Sequence, residues 1–154
     1  MNKRTRTSIA GLALSASAFV AILLHEGYSD KTYIPVPGDV PTIGFGTTDG
    51  VKAGDTITPP KAVEKALRDV TKFEGAIKKC VKVPLSQNEY DAFVSFAYNI
   101  GPKAFCNSTL VAKLNKEGYE GACNEMARWV YVKGRKVQGL VNRREKERRL
   151  CLGV

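Results

Sequence analysis

Glu26, Asp39 and Thr42 lie near one another in the sequence and carry the side chains with the clearest chemical potential. Glu26 ends an apolar run, where burial would favour the protonated form of its carboxyl group and suit it to donate a proton. Asp39 occupies a Gly-Asp turn before Thr42, and a carboxylate beside a hydroxyl can hold and activate water. The three residues suggest acid-assisted hydrolysis. Taken alone they fit a structural role more simply, and His25 is interpreted as a cap or surface group.

The apolar run before Glu26 is expected to form a helix. It covers residues 8–24 without a charged side chain, and Lys3, Arg4 and Arg6 precede it. Basic residues followed by an apolar run are typical of an exported protein with its basic end in the cytoplasm. The run is at the short limit for a membrane-spanning helix, and more than half of it is Ala, Ser or Gly.

Three interpretations of this run remain open. It is a signal peptide cleaved at small residues near positions 16–21, a permanent anchor, or an anchor that leaves the bilayer and refolds as part of a soluble domain. A permanent anchor would need greater length and hydrophobicity. The small side chains make the third interpretation energetically less costly, and we expect it.

The rest of the chain is predicted to be mainly helical, with one small β-hairpin. Prolines and a Gly-Asp pair exclude a helix over residues 33–41 and favour a hairpin, followed by a short strand over residues 42–46 with close backbone approaches. A capping box at residues 86–89 opens the central helix, which Gly101 ends. The last helix is expected to expose a row of arginines that includes Arg143 and Arg144. Further helices are predicted over residues 58–77, 108–114, 119–132 and 141–150, with a basic loop over residues 133–138.

The charge balance and the cysteines limit the class of protein. Lys and Arg exceed Asp and Glu by 24 to 15, giving a net charge of +9, which favours a polyanionic partner: nucleic acid, anionic lipid or cell wall. The cysteines are too far apart for a zinc knuckle, and only one histidine is present. An export signal favours two disulfides over four reduced thiols. Cys123 with Cys151, and Cys80 with Cys106, are plausible pairs.

Several sequence motifs resemble the phage lysozymes of glycoside hydrolase family 24. The first is His-Glu-Gly at residues 25–27, with Tyr33 and the segment Pro-Thr-Ile-Gly-Phe-Gly at residues 41–46. The others are found, in the family's order, at residues 85–101, 108–110 and 139–145. The resemblance implies a lysozyme-like α+β fold with a small N-terminal hairpin lobe and a helical C-terminal lobe. It also implies a muramidase that cleaves the β-1,4 bond between N-acetylmuramic acid and N-acetylglucosamine in peptidoglycan, without cofactor or metal.

The resemblance also assigns roles to residues. Glu26 is the general acid, and Thr42 belongs to the catalytic set. The family's aspartate usually stands six residues before the threonine, where this chain has Val36, so either Asp39 takes its place or Thr42 and the backbone hold the water alone. The usual histidine after the Gly-x-Gly is Thr47. By the same resemblance the substrate cleft is lined by Tyr33, Tyr98 and Asn99, although Tyr98 equally suits the core.

The N-terminal segment resembles the signal-anchor-release segments of some phage endolysins. This implies a chain with an anchor over residues 1–24 and a catalytic domain over residues 25–154, exported by the host machinery. It would be held inactive at the periplasmic face of the inner membrane, then released to the periplasm. A monomer with no nucleic-acid partner is expected. The alternative is a catalytically degenerate, membrane-tethered protein that binds cell wall or nucleic acid, suggested by Val36 and the charge of +9.

Overall fold

The structure is a computed structural model that describes residues 4–154. It is mainly helical with two small antiparallel sheets, so the predicted mainly helical α+β class is confirmed. The helices are α1 (Ala16–Glu26), α2 (Pro59–Cys80), α3 (Gln87–Ile100), α4 (Pro102–Cys106), α5 (Thr109–Leu114), α6 (Tyr119–Glu125) and α7 (Gln138–Leu152). The strands are β1 (Ser29–Tyr33), β2 (Thr42–Gly44), β3 (Tyr131–Val132) and β4 (Arg135–Lys136), and short 3-10 turns cover Ile9–Gly11 and Met126–Arg128.

The chain divides into two compact units. The hairpin unit is Val20–Lys72, and the helical unit combines the chain up to Phe19 with Phe73–Val154. In the hairpin unit β1 and β2 pair antiparallel, with Ser29 opposite Gly44 and Tyr33 opposite Thr42. All three residues of β2 are buried, and this anchors the hairpin to the interior of its unit.

Helix α3 forms the core of the helical unit. Ser86 and Glu89 make the predicted capping box at its start, and its backbone ends at Gly101, whose φ is 92°. Residues 89–98 are all buried, although a helix at the surface of a globular protein usually keeps one face in water. Helix α7 packs along α3 more extensively than any other pair of elements in the described chain. Ser108 caps α5, its hydroxyl accepting a hydrogen bond from the Val111 amide.

Two disulfides fasten the helical unit, as expected for an exported chain. Cys80 at the end of α2 bonds to Cys106 at the end of α4, with a Cα–Cα distance of 5.6 Å. Cys123 in α6 bonds to Cys151 in α7, with a Cα–Cα distance of 5.7 Å. Each bond closes a loop of moderate length, which stabilises a fold by about 3 kcal/mol when the native geometry is unstrained.

The helix predicted over residues 119–132 is wrong in its second half. Helix α6 ends at Glu125, and after a 3-10 turn Tyr131 and Val132 pair with Lys136 and Arg135 in a second hairpin. Lys133 and Gly134 both have positive φ, at 47° and 76°, as a two-residue hairpin turn requires. The predicted basic loop is therefore partly a strand, and α7 begins at Gln138, earlier than expected.

Residues 8–19 of the N-terminal apolar run are folded within the helical unit. Its first part is not α-helical: Ser15 donates from its amide and hydroxyl to Asp91, at 3.0 and 2.6 Å, and the Leu14 amide donates to Glu74 at 2.7 Å. Arg6 makes a double contact with buried Glu89, at 2.7 and 3.0 Å. Within residues 4–154, no helix combines the length and the hydrophobicity needed to cross a membrane.

Candidate active site

Glu26 is the last residue of α1, and Gly27 turns the chain away from the helix. The Gly27 amide donates to the Leu23 carbonyl at 3.0 Å, and its φ of 71° is in the left-handed region that glycine adopts without steric cost. The helix end therefore fixes the backbone at Glu26, and its side chain is half-buried.

The Glu26 carboxyl group lies directly against the turn that follows β2. A Cβ atom built on Gly46 would lie 3.1 Å from Glu26 Oε2, closer than side chains normally approach, and Gly46 has a φ of 85°. Only glycine suits both conditions. The close backbone approach predicted for this segment is thus explained by contact with the predicted acid.

Replacing Gly46 with alanine should impair catalysis beyond its cost in stability. A new Cβ would push the Glu26 carboxyl from its place, and a positive φ in alanine costs about 1–2 kcal/mol. The matched control is Gly50→Ala, because Gly50 has a φ of 70° but nothing within 4 Å of an added Cβ. We expect both variants to lose a similar few degrees of Tm, and only Gly46→Ala to lose about tenfold in kcat. Equal kcat values in the two variants would contradict this role.

Tyr33 and Thr42 lie opposite each other in the hairpin. Thr42 is buried at 5% exposure and Tyr33 is 40% exposed. Burial raises the pKa of the Tyr33 hydroxyl, and the negative charge of nearby Glu26 raises it further. The predicted acid, the predicted hydroxyl and one predicted substrate residue are therefore gathered in the hairpin unit.

Asp39 closes the turn that contains Val36. The Asp39 amide donates to the Val36 carbonyl at 2.9 Å, and its exposed carboxylate accepts from the Val40 amide at 3.1 Å. The Thr42 hydroxyl donates to the Val40 carbonyl at 3.2 Å. The Val40 residue thus orients both side chains. Because the hydroxyl proton of Thr42 is engaged, its oxygen can accept a hydrogen bond from water.

The remaining two predicted substrate residues, Tyr98 and Asn99, belong to the helical unit at the end of α3. Tyr98 is 8% exposed and meets Phe73 edge-to-face, with ring centroids 5.1 Å apart. This is a core packing arrangement, as its sequence position equally allowed. Asn99 is exposed, and its Oδ1 accepts a hydrogen bond from Arg144 Nη2 at 2.8 Å.

The prediction that Arg143 and Arg144 lie on an exposed face of the last helix is wrong. They are 6% and 1% exposed, and both pair with Glu147, which is 3% exposed. The nitrogen–oxygen distances are 3.1 Å from Arg143 Nε and 2.9 Å from Arg144 Nε. Glu147 also accepts from the Ser95 hydroxyl at 2.7 Å. Arg144 and Arg143 precede Glu147 by three and four residues, and residues at these spacings share a helix face. This spacing was the sequence signal from which the pairing could have been predicted.

Thr47 stands where the resembled family usually has histidine. It is buried, and its hydroxyl donates to Asp69 Oδ2 at 2.7 Å. Burial raises the pKa of the Asp69 carboxyl, although the Thr47 hydrogen bond and the charge of Lys72 act in the opposite direction. In residues 4–154, no three or more His, Cys, Asp or Glu side chains are grouped to hold a metal ion.

The raised pKa of Asp69 predicts a pH-dependent stabilisation by Asp69→Asn. A carboxyl group whose pKa is higher in the folded than in the unfolded state favours folding while protonated, and that contribution is lost as pH rises through the folded pKa. Asparagine keeps an oxygen acceptor for Thr47 without a charge. We expect a Tm about 1–2 °C above wild type at pH 7, kept small because the carboxyl is partly solvated, and no difference near pH 3.

Asp49→Asn is the control for this measurement. Asp49 is exposed, and its hydrogen bond with Lys72 lowers the pKa of its carboxyl group, so neutralising it should not stabilise the fold at any pH. An Asp69→Asn variant that is less stable than wild type at pH 7 would contradict the assignment.

Comparison with known proteins identifies the family and confirms the predicted lysozyme-like fold. A model of the phage lysozyme family matches residues 24–147. The SAR-endolysin of Pseudomonas phage phiKMV is 39% identical over 156 residues, covering 99% of this chain and 93% of the relative. The solved endolysin from Escherichia coli O157:H7 phage FAHEc1 has a TM-score of 0.79 at 40% identity, covering 96% of both chains. The muramidase domain of SpmX from Asticaccaulis excentricus has a TM-score of 0.83 at 28% identity, covering 91% of this chain and 97% of the domain. The chain therefore belongs to the phage lysozyme family.

Proposed function

We propose that Glu26, Asp39 and Thr42 carry out the hydrolysis that this endolysin performs during host lysis. As a phage lysozyme the chain is a glycoside hydrolase that acts on peptidoglycan. The bond attacked is the β-1,4 linkage between N-acetylmuramic acid and N-acetylglucosamine. The assignment rests on one observation: the Glu26 carboxyl lies against Gly46, in the same unit as Thr42 and Asp39.

Glu26 acts as the general acid in this mechanism. Its proton passes to the glycosidic oxygen as the bond from C1 of N-acetylmuramic acid to that oxygen breaks, so the departing sugar leaves as a neutral alcohol. Its place at a helix end, with Oε2 close to the Gly46 backbone, limits the positions open to the carboxyl. A fixed acid needs no reorganisation at the moment of proton transfer.

Asp39 and Thr42 hold the attacking water. The Thr42 oxygen accepts one hydrogen bond from the water, and the Asp39 carboxylate takes its proton as the water oxygen bonds to C1. Direct attack by water in a single displacement inverts the anomeric centre. Support comes from Val40, whose amide orients Asp39 and whose carbonyl orients Thr42. Asp39, in the same turn, then supplies the carboxylate that the family usually has at the position of Val36.

The linkage assignment is tested by the products of purified peptidoglycan. Digestion should create new reducing ends that are N-acetylmuramic acid, as identified by borohydride reduction and mass spectrometry. New reducing ends of N-acetylglucosamine would identify a different glycosidase. Binding to peptidoglycan or DNA without any new reducing end would favour the degenerate binding protein.

The substrate contacts and the assembly are part of the same proposal. Tyr33 and Asn99 contact the glycan, whereas the packing of Tyr98 against Phe73 supports a role in holding the end of α3 in shape. The chain acts as a monomer and takes no nucleic-acid partner. Its net charge of +9 favours association with the polyanionic cell wall.

The N-terminal run serves as a releasable membrane anchor in this proposal. Relatives from phage phiKMV and bacteriophage PS119 are named SAR-endolysins, and each aligns over 99% of this chain. Residues 1–24 insert through the host export machinery and hold the chain at the periplasmic face of the inner membrane. After release they join the domain of residues 25–154. The hydrogen bonds from Ser15 and Leu14 to acidic side chains support a position for this part of the run on the folded domain, outside the membrane.

Fractionation tests the anchor. Full-length chain, with its N-terminus verified by mass spectrometry, should be in the membrane fraction of energised cells and should move to the periplasm after an uncoupler collapses the membrane potential. A shortened N-terminus in the periplasm would instead identify ordinary signal cleavage.

A further inference from the structure

Residues 4–15, which we call the N-terminal strap, are held on the helical unit by a series of polar contacts. Near the start of the strap, the Thr7 amide donates to the Leu85 carbonyl at 2.9 Å and the Leu85 amide donates to the Thr7 carbonyl at 3.0 Å. Near its end, Gln87 Nε2 donates to the Ala13 carbonyl at 2.9 Å. The strap belongs to the same compact unit as α3, and it is attached along its whole length.

Three acidic side chains of α2 and α3, Glu74, Glu89 and Asp91, receive the strap. Glu74 and Asp91 accept hydrogen bonds from backbone amides at its end, and Glu89 accepts from Arg6 near its start. Glu89 is 1% exposed. A carboxylate removed from water to that extent needs donors or a cation beside it, because burial disfavours its charge. The strap supplies both.

Glu89 divides its oxygens between α3 and the strap. Oε2 accepts from the Ser86 amide at 2.9 Å and completes the capping box. Arg6 contacts both oxygens, with Nη2 2.7 Å from Oε1 and Nε 3.0 Å from Oε2, and its guanidinium lies 3.5 Å from the centroid of the Tyr119 ring. Arg4 Nη1 lies farther away, at 3.9 Å from Oε1. A planar guanidinium suits paired hydrogen bonds and ring stacking, and an ammonium group does not reproduce this geometry.

In the proposed anchored state, Arg6 and Glu89 lie on opposite sides of the membrane. Basic residues before an apolar run stay in the cytoplasm, whereas the acidic side chains of α3 are at the periplasmic face. The contact with Glu89 can therefore form only after Arg6 has crossed. A potential that is negative inside opposes this crossing by a factor of about 50 for each positive charge. That opposition ends when the potential collapses.

We infer that Glu89 captures Arg6 after release, so that one arginine first orients the anchor in the membrane and then fastens the strap to the helical unit. The inference rests on the proposed anchor and specifies the partner of the released segment: an acidic surface of the same chain. It requires that residues 4–15 stay on the active chain, since cleavage within residues 16–21 would remove every donor of the strap.

Hydrogen exchange in the purified full-length chain tests the contact. Arg6→Gln and Glu89→Gln should each raise the exchange rates of the Thr7 and Ser15 amides about tenfold or more, because each breaks a charge-assisted pair that keeps the strap closed. Glutamine at position 89 still supports a capping box, so α3 should stay intact. The double variant should exchange no faster than either single variant, since both substitutions remove the same contact.

Arg128→Gln is the matched control. Arg128 is exposed and pairs with Glu125 at 3.4 Å in the same unit, so its replacement makes the same change in charge away from the strap. The strap amides of this variant should exchange at the wild-type rate. Wild-type exchange in both Arg6→Gln and Glu89→Gln, or additive effects in the double variant, would overturn the inference.

Binding to vesicles tests the competition between the membrane and Glu89. Glu89→Gln leaves the sequence of the strap unchanged, so the partition coefficient of the full-length chain onto neutral phosphatidylcholine vesicles should rise by the same factor as the exchange rates. Arg6→Lys, which keeps the charge but loses the paired hydrogen bonds, should give a smaller rise. Neither readout depends on hydrolysis or export. A shortened N-terminus in the periplasm would overturn the proposed anchor, whereas unchanged exchange and partition in Glu89→Gln would overturn only this inference.

Discussion

Glu26→Gln should lose about 10²–10⁴-fold in the rate of peptidoglycan hydrolysis while the chain stays folded. Glutamine has the same shape but cannot deliver a proton to the departing sugar oxygen. The half-buried position against Gly46 accommodates it without a cavity, so Tm should change by no more than a few degrees. The measurement is the initial rate of reducing-end release from purified peptidoglycan, alongside thermal unfolding.

Glu64→Gln is the control for this substitution. Glu64 is exposed on α2 in the same unit. Its replacement makes the same change in charge outside the hairpin of β1 and β2. It should hydrolyse at the wild-type rate. Near-normal hydrolysis by Glu26→Gln would remove Glu26 from the mechanism. A second readout is the Tyr33 hydroxyl, whose pKa should move toward the ordinary tyrosine value once the neighbouring negative charge is gone.

Glu147→Ala should lower the free energy of unfolding by about 3–5 kcal/mol. The substitution leaves the Arg143 and Arg144 guanidinium groups buried beside each other without the carboxylate between them, and it removes the acceptor of the Ser95 hydroxyl. For a domain of this size the loss corresponds to a fall in Tm of roughly 6–20 °C. Calorimetry and urea unfolding with both disulfides intact measure it.

Glu145→Ala, two residues earlier in the same helix, provides the comparison. Glu145 is exposed and pairs with Arg148 at 3.3 Å, and a surface pair of this kind contributes at most about 1 kcal/mol. A Glu147→Ala variant no less stable than Glu145→Ala would show that the buried pairing of Arg143 and Arg144 with Glu147 does not stabilise the packing of α3 with α7.

Much of the fold follows from local sequence signals. The capping box at Ser86 and the glycine at position 101 predict α3 because both act within one turn of the helix end. The strand after α6 was not predictable in that way, since Tyr131 and Val132 continue a helical pattern. Their pairing depends on a turn at Lys133 and Gly134 that was interpreted as a basic loop.

The site shows the same division between local and long-range information. The acid, the threonine and the Gly-x-Gly segment are recognisable because the resembled motif is contiguous in sequence. The buried pairing of Arg143 and Arg144 with Glu147 was missed because a charged helix face is usually solvated, whereas the packing of α7 on its neighbours, α3 above all, buries this one. The orientation of Asn99 follows from that packing and could not be derived from the motif that contains it.

The anomeric configuration of the first product tests the central claim most directly, because it reports whether water held by Asp39 and Thr42 attacks C1 itself. Uncross-linked peptidoglycan strands are digested in a proton NMR tube, and the reducing-end anomeric signal is followed before the anomers equilibrate. The mechanism predicts that N-acetylmuramic acid is released first as the α-anomer, from a β-linked substrate. Release of the β-anomer would contradict it, since retention requires a covalent or substrate-assisted intermediate in place of direct attack by the held water.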